Sequence, residues 1–205
     1  MFTGIVQGQA HVVSVDQKPG LATYVLEFPA DQVEAVAIGA SVSINGTCLT
    51  VTRQAGNRLW FDAMQETLTL TTLDSLKAGD RINFERAARI GDEIGGHLLS
   101  GHVHTVAEVS RIEAPENNRT LYFRVPAHWM KYIFAKGYIA INGASLTIGE
   151  VEGDTFNVHL IPETLRVTTF GDLTVGDSVN IEIDSQTQTI VDTLARLGYD
   201  RPPSV

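Results

Sequence analysis

The sequence predicts an all-β protein: two tandem six-stranded barrels followed by a C-terminal α-helix. Three observations predict it. The chain repeats itself at one constant spacing. Each copy alternates apolar and polar residues with period two. The segment 185–205 has no counterpart in the first half and carries a helical stripe instead.

The repeat rests on three separate motifs. Ile44-Asn45-Gly46-Thr47-Cys48-Leu49-Thr50-Val51 returns as Ile141-Asn142-Gly143-Ala144-Ser145-Leu146-Thr147-Ile148. Glu66-Thr67-Leu68 and Thr71-Thr72 return as Glu163-Thr164-Leu165 and Thr168-Thr169, and Gly79-Asp80 returns as Gly176-Asp177. Every pair stands 97 residues apart. The same shift matches Gly4 to Gly101, Val6 to Val103 and Pro29 to Pro126, and aligns 1–87 with 98–184 without a gap. About a quarter of the aligned positions are identical, too many for coincidence in a fixed register. The predicted organisation is therefore unit 1–87, link 88–97, unit 98–184 and tail 185–205.

Within each unit the elements follow in order. Tyr24, Leu26 and Phe28 alternate with polar or outward positions, as do Leu121, Phe123 and Val125 in the same phase. Ile82 and Phe84 alternate with Arg81, Asn83 and Glu85; Val179, Ile181 and Ile183 alternate with Asn180 and Glu182. Period two with one apolar face predicts half-buried antiparallel strands. Val33 and Val36, matched by Met130 and Ile133, follow a proline at i, i+3 spacing and precede Gly39 and Gly137. They predict one short helix per unit. Asn45-Gly46 and Asn142-Gly143 predict hairpin turns, because both residue types tolerate positive φ. Gly79-Asp80 and Gly176-Asp177 mark the turn before the last strand. So many short strands in under 90 residues close best as a barrel, which removes exposed edges; a sandwich is the alternative. In the tail, Ile190, Val191, Leu194 and Leu197 share a helix face, Gly198 ends it, and Pro202-Pro203 ends order. That face either covers the chain's own barrels or pairs with the tails of other subunits.

Composition narrows the function. The net charge is −9, which argues against a nucleic-acid surface as the main activity while leaving room for a local anion pocket. The single cysteine, Cys48, forms no internal disulfide and no zinc cluster, which points to a reducing compartment. The first residues lack a basic, then apolar leader pattern, and no stretch approaches the ~20 apolar residues of a membrane span. The expected location is cytoplasmic, without a membrane partner.

The two copies differ where chemistry could sit. Cys48 stands where the second unit has Ser145, just after the turn, with Thr50 and Thr147 two residues on and so on the same strand face. Cys48 is either an inert buried thiol or a working group. His97, His102 and His104 cluster, with His102 replacing Ile5 and, further on, His159 replacing Asp62. No carboxylate or cysteine pattern completes a metal site, and a histidine suits proton transfer near neutrality. His104 reads as a core or surface residue. Lys136, opposite Gly39, is either a solvated helix end or a cation for an anionic ring. The sequence has no Gly-rich nucleotide loop and no nucleophile elbow in a suitable context, so dinucleotide-dependent hydride transfer, nucleotide hydrolysis and ordinary esterase chemistry drop out.

Together, Met1-Phe2-Thr3-Gly4-Ile5-Val6, residues 45–51, Gly95 to Val103, Lys136-Gly137, residues 142–147 and Ile161-Pro162-Glu163-Thr164-Leu165 resemble the riboflavin synthase alpha-chain family over nearly the whole chain. The resemblance implies two Greek-key barrels and a C-terminal helix that assembles a homotrimer. It implies dismutation of two molecules of 6,7-dimethyl-8-ribityllumazine to riboflavin and 5-amino-6-(ribitylamino)uracil by four-carbon transfer, with no external cofactor or metal. It places the site between the first barrel of one subunit and the second barrel of another. Carried over, one pocket comprises Gly4, Ile5, Val6, Cys48, Leu49, Thr50, Asp62, Ala63, Met64, Gln65, Glu66 and Thr67. The other comprises Gly101, His102, Val103, Lys136, Ser145, Leu146, Thr147, His159, Leu160, Ile161, Pro162, Glu163 and Thr164. Phe2, Ser41, Cys48, His97, His102, Ser145 and Asp184 match positions tied to activity in the family. Asn142 stands where relatives can carry Asp, and Thr47 where some carry a second Cys. Of these groups, Cys48 and His102 are expected to act as nucleophile and proton-transfer group, with Ser145 and Lys136 in support. The alternative within the resemblance is a non-catalytic lumazine- or flavin-carrying antenna protein.

Overall fold

The computed structural model describes residues 1–199 apart from 35, 116 and 117. The prolines Pro202-Pro203, expected to end the tail, lie outside the described residues.

The first unit closes a barrel from β1 (Gly8–Lys18), β2 (Leu21–Glu27), β3 (Ser41–Ile44), β4 (Thr47–Ala55), β5 (Arg58–Met64) and β6 (Arg81–Arg86), in the order β1-β2-β5-β4-β3-β6. The second repeats it with β7 (Thr105–Glu113), β8 (Arg119–Arg124), β9 (Tyr138–Ile141), β10 (Ala144–Glu152), β11 (Thr155–Leu160) and β12 (Ser178–Ile183). Three strands joined by hairpins, with the sixth returning beside the third, make a Greek key in each barrel. All pairs are antiparallel, and closure leaves no free edge. A bulge between Val12 and Ser14 is matched by one between Val109 and Arg111, so the duplication extends to local irregularities.

The predicted alternation sets the cores. Tyr24, Leu26, Phe28, Phe61 and Phe84 fill the first barrel; Leu121, Phe123, Phe156, Val179 and Ile181 fill the second. The Asn-Gly turns form as predicted, with φ of 45° and 84° in the first unit and 43° and 83° in the second. These glycines have a second reason to be glycine. A Cβ on Gly46 would lie 2.8 Å from the Gly143 nitrogen, so the two turns abut across the pseudo-two-fold axis.

Two expectations need correction. The helix after Pro29 and Pro126 is a 3-10 turn, Ala30–Gln32 and Ala127–Tyr132, and each unit adds a short α-helix after its fifth strand: α1 (Gln65–Leu70) and α2 (Pro162–Val167). Pro126 and Pro29 fix the chain entry, but the apolar residues that follow bury as a loop. The polar face of the last strand in each unit is also not solvated. Asn83, Glu85, Asn180 and Glu182 are all buried, because that face is where the barrels meet. Asn83 Nδ2 donates to the Asn142 carbonyl and Asn180 Nδ2 to the Asn45 carbonyl. Their side-chain oxygens accept from the Thr169 and Thr72 amides of the opposite unit. An alternating pattern reveals one apolar face and is silent about what covers the other.

The tail forms α3 (Ser185–Arg196). Asp184 caps it by accepting from the Thr187 amide and hydroxyl, and Gly198 follows its end at φ 79°. Val191 packs on the second barrel's core, and Asp192 accepts from the Tyr132 hydroxyl. Ile190, Leu194 and Leu197 remain 60%, 46% and 66% exposed. The stripe therefore splits, with one member facing its own barrel and three facing outward. Among the described residues no helix is long and apolar enough to cross a membrane.

Candidate functional site

Each unit begins with a lead segment, and the leads cross. Residues 1–6 run onto the second barrel and 98–103 onto the first. Phe2 and Leu99 meet at the crossing and exchange both backbone hydrogen bonds, at 2.8 and 3.0 Å. Beyond them the Ser145 amide donates to the Gly4 carbonyl at 2.8 Å, and the Cys48 amide donates to the Gly101 carbonyl at 2.8 Å. Gly4 and Gly101 hold φ of 76° and 79°. A Cβ there would lie 2.5 Å from Ser145 Cβ and 2.6 Å from Cys48 Cβ. Only glycine permits both the backbone turn and this approach.

Two buried glutamates pin the leads. Glu85 on β6 accepts from the Thr3 amide, the Thr3 hydroxyl and the Gly4 amide; Glu182 on β12 accepts from the Ser100 amide, the Ser100 hydroxyl and the Gly101 amide. Burial pushes the Glu85 carboxyl above its ordinary value, against the opposing pull of those three donors. The sequence reading missed both as functional. The signal was present: a glutamate at the same register of both last strands, on the face assigned to solvent.

The crossing corrects how the site residues were grouped. Gly4, Ile5 and Val6 belong with Ser145, and Val6 is part of the second barrel's core. Gly101, His102 and Val103 belong with Cys48. With Thr47, Glu66, Thr67, Leu70 and Thr71 they line a cavity of about 210 Å³. The 97-residue alignment equates the leads correctly but carries no information about which barrel each lead covers.

The remaining expected residues fall into three groups. Leu49, Ala63 and Leu160 point into the cores and act as packing. Thr50, Asp62, Met64 and Gln65 in the first unit are exposed on the barrel surface, as are Thr147, His159, Ile161, Pro162 and Glu163 in the second. Asp62 accepts from the Thr23 hydroxyl at 2.6 Å, and His159 Nδ1 pairs with the Thr120 hydroxyl at 2.9 Å, so that exchange replaces one strand-to-strand bond by another. Leu146 and Thr164 are half-buried, and Lys136 is exposed with its backbone at φ 68°. Glu163 is held by Arg166 through two bonds, whereas Glu66 has Thr69 at that spacing; the Arg166 guanidinium keeps the Glu163 carboxyl below its ordinary range.

Of the positions that the resemblance ties to activity, Phe2 lies at the crossing and His97 beside it. Phe2 is fully buried against Leu99, Ala140 and Cys48. His97 Nδ1 lies 2.6 Å from Ser145 Oγ, and its ring stacks on Tyr138 with centroids 5.1 Å apart. Ser41 occupies in the first unit the strand position of Tyr138, opposite Thr50. Cys48 is half-buried, and its thiol makes no hydrogen bond among the described residues. His104, read as a core or surface residue, bonds Gln188 of α3 and accepts from the Ile183 amide, which makes it structural. No group of three or more His, Cys, Asp or Glu positioned for a metal occurs among the described residues. The site therefore offers paired thiol and hydroxyl groups, two imidazoles and crossing backbone carbonyls.

Comparison with known proteins follows the same duplication. The family model for the lumazine binding domain matches twice, at residues 3–87 and 100–184. The riboflavin synthase of Escherichia coli is 56% identical over 198 residues, covering 96% of this chain and 93% of that protein. The riboflavin synthase of Chlamydia pneumoniae is 44% identical, covering 96% of each. Among solved structures, LumP complexed with 6,7-dimethyl-8-(1'-D-ribityl) lumazine superposes with a TM-score of 0.83 at 30% identity, over 90% of this chain and 100% of that one. With two lumazine-binding domains and relatives this similar over nearly the full length, the chain belongs to the riboflavin synthase family.

Proposed function

We propose that the protein is a riboflavin synthase. Two molecules of 6,7-dimethyl-8-ribityllumazine react, one gives four carbons to the other, and the products are riboflavin and 5-amino-6-(ribitylamino)uracil. The atoms balance between the two substrates and the two products, so the exchange needs no oxidant. The observation that carries the reading is the 56% identity to a riboflavin synthase over 96% of the chain. The duplication supplies its physical reason. Two copies of one substrate need two similar pockets, and holding them together gives proximity and orientation. An asymmetric reaction then requires the pockets to diverge, as Cys48 and Ser145 do.

The units 1–87 and 98–184 each take one lumazine, joined by the link 88–97. One pocket is built from Cys48, Glu66 and Thr67 under Gly101, His102 and Val103. The other is built from Ser145 and Thr164 under Gly4, Ile5 and Val6, with Lys136 at its edge. Cys48 and His102 serve as nucleophile and proton-transfer group, and Ser145 and Lys136 support the anionic ring. The tail 185–205 assembles a homotrimer through the outward stripe of Ile190, Leu194 and Leu197. Pockets of neighbouring subunits then face each other. A cytoplasmic location suits the single free thiol.

Purified protein mixed with the lumazine tests this. The expected result is riboflavin absorbance growing to half the lumazine consumed. Tight binding without conversion would favour the antenna reading. Light scattering on a chain ending at Asp184 is expected to give a smaller oligomer; an unchanged one would remove the tail's role.

A further inference from the structure

The last strand of each unit carries one asparagine whose side chain leaves its own barrel. Asn83 on β6 and Asn180 on β12 are each 1% exposed. Their backbones pair within their own units: the Asn83 amide donates to Asn45 Oδ1 and the Asn180 amide to Asn142 Oδ1, both at 2.8 Å. Their carboxamides cross over. Asn180 Nδ2 donates to the Asn45 carbonyl at 2.8 Å, and Asn180 Oδ1 accepts from the Thr72 amide at 2.7 Å. Asn83 Nδ2 donates to the Asn142 carbonyl at 3.1 Å, and Asn83 Oδ1 accepts from the Thr169 amide at 2.8 Å.

The targets of these bonds frame the pockets. Asn45 leads through the turn into Thr47 and Cys48, one wall of the cavity of about 210 Å³. Thr72 follows α1, whose Glu66, Thr67 and Leu70 form the facing wall, and the Thr71 hydroxyl donates back to the Thr67 carbonyl. The second unit repeats the arrangement. Asn142 leads through its turn into Ser145, Thr169 follows α2, and the Thr168 hydroxyl donates to the Thr164 carbonyl. One carboxamide thus ties both walls of a pocket together, and it comes from the other unit. Holding the halves together explains contacts between units. It does not require both bonds of each carboxamide to fall on the two walls of one pocket.

We propose that Asn180 and Asn83 are positioning residues, each setting the spacing of the pocket walls in the opposite unit. The inference rests on the riboflavin synthase reading and extends it: the lumazine pocket at Cys48 is spaced by the second unit, and the one at Ser145 by the first. A carboxamide suits the task because it offers a donor and an acceptor on one rigid plane. Buried and bonded at both ends, it leaves the walls little play. Neither asparagine touches the lumazine; each acts through the turn and the helix it joins.

The two braces are not equally strong. Gln9 Nε2 also reaches across, donating to the Thr168 carbonyl at 2.9 Å, and Arg81 supports it by donating to Gln9 Oε1 and to Asp172 beyond α2. The second unit has Val106 and Ser178 at the matching positions. Valine has no polar side-chain group, and serine lacks the reach of arginine. The α1 wall therefore depends more on Asn180 than the α2 wall depends on Asn83.

The test reads each pocket separately. NMR follows a 13C-labelled, unreactive lumazine analogue on the full chain, with the two bound signals assigned by Cys48→Ala and Ser145→Ala. Asn180→Ala, a change in the second unit, is expected to shift the Cys48 signal and weaken that pocket about tenfold, on the order of one hydrogen bond, while the Ser145 pocket stays within twofold. Asn83→Ala is expected to shift the Ser145 signal instead, with a loss of about threefold because Gln9 and Arg81 still hold the wall. A folded Asn180→Ala protein whose Cys48 signal is unmoved, or whose two signals move alike, would overturn the proposal; a general loss of stability predicts the second of these. If that variant does not fold, Thr72→Pro decides. It removes the amide that Asn180 Oδ1 accepts from and leaves the asparagine in place, and Thr71, at φ −128° and ψ 169°, already has the extended backbone that precedes a proline. A shifted Cys48 signal is expected there, and an unmoved one overturns the proposal. Lumazine turnover by the wild type is followed alongside by riboflavin absorbance. A wild type that binds the analogue at both pockets and never makes riboflavin overturns the function and leaves the bracing of the pockets standing.

Discussion

The two barrels share a strand order, a bulge, a pair of Asn-Gly turns and a glutamate-pinned lead, yet they differ around one strand position. In the first barrel Cys48 is half-buried, its thiol makes no hydrogen bond among the described residues, and His102 comes from the lead that covers it. In the second, Ser145 is tied to His97, and the covering lead brings Ile5, with no ionisable group at that place. The difference teaches that the scaffold and the chemistry diverge separately. Residues that hold the halves together stay paired: Asn83 with Asn180, Glu85 with Glu182, Gly4 with Gly101. Residues at the pocket mouth do not.

The largest expected effect breaks the scaffold that the halves share. Gly101→Ala and Gly4→Ala place a methyl on a left-handed backbone and against a facing strand. Each is expected to cost about 3 kcal/mol, combining the backbone penalty with overpacking. Denaturant unfolding measures it, and lumazine titration shows which pocket fails: the one with Cys48 for Gly101, the one with Ser145 for Gly4. A loss below about 1 kcal/mol would mean that the leads are not held this tightly.

Removing the pins comes next. Glu182→Ala and Glu85→Ala each strand two buried amides, and a loss of about 2–3 kcal/mol is expected in the same unfolding assay. Equal losses in the two variants would support a scaffold common to both halves; a large inequality would make one lead the anchor and the other a passenger.

Smaller effects sharpen the contrast. The Tyr24 hydroxyl donates to the Leu73 carbonyl at 2.9 Å inside the first barrel, and burial pushes its pKa up to about 12. Leu121 takes its place in the second barrel. Tyr24→Phe is expected to cost about 1 kcal/mol by thermal unfolding, the net value of one neutral hydrogen bond. The smallest effect concerns Arg166, whose pair with Glu163 is solvent-exposed on both sides. Arg166→Thr gives the second unit the Thr69 arrangement of the first. Stability is expected to stay unchanged, because exposed pairs contribute little. Lumazine affinity at the Ser145 pocket is the readout there.

Much of this was legible in the sequence. The constant shift of 97 residues sets two like units, and alternation such as Tyr24, Leu26, Phe28 sets the strands and their inward faces. The divergent pair Cys48 and Ser145 emerges from the same alignment. What stayed hidden depends on contacts between units. Nothing in the order of residues says that residues 1–6 cover the second barrel, because a lead equivalent by alignment can pack on either neighbour. Glu85 and Asn83 read as solvated for the same reason: a sheet face covered by polar partners leaves the same period-two pattern as one covered by water. The helices α1 and α2 were missed because six residues are too few to establish a helical period.

The central claim is that the two pockets are completed by crossed leads and perform different tasks. A 13C-labelled, unreactive lumazine analogue bound to the full chain tests it most directly. Two bound signals are predicted. Cys48→Ala and His102→Ala should shift one of them, and Ser145→Ala and Ile5→Ala the other. A single bound signal, or a His102→Ala protein that moves the signal belonging to Ser145, would contradict the account.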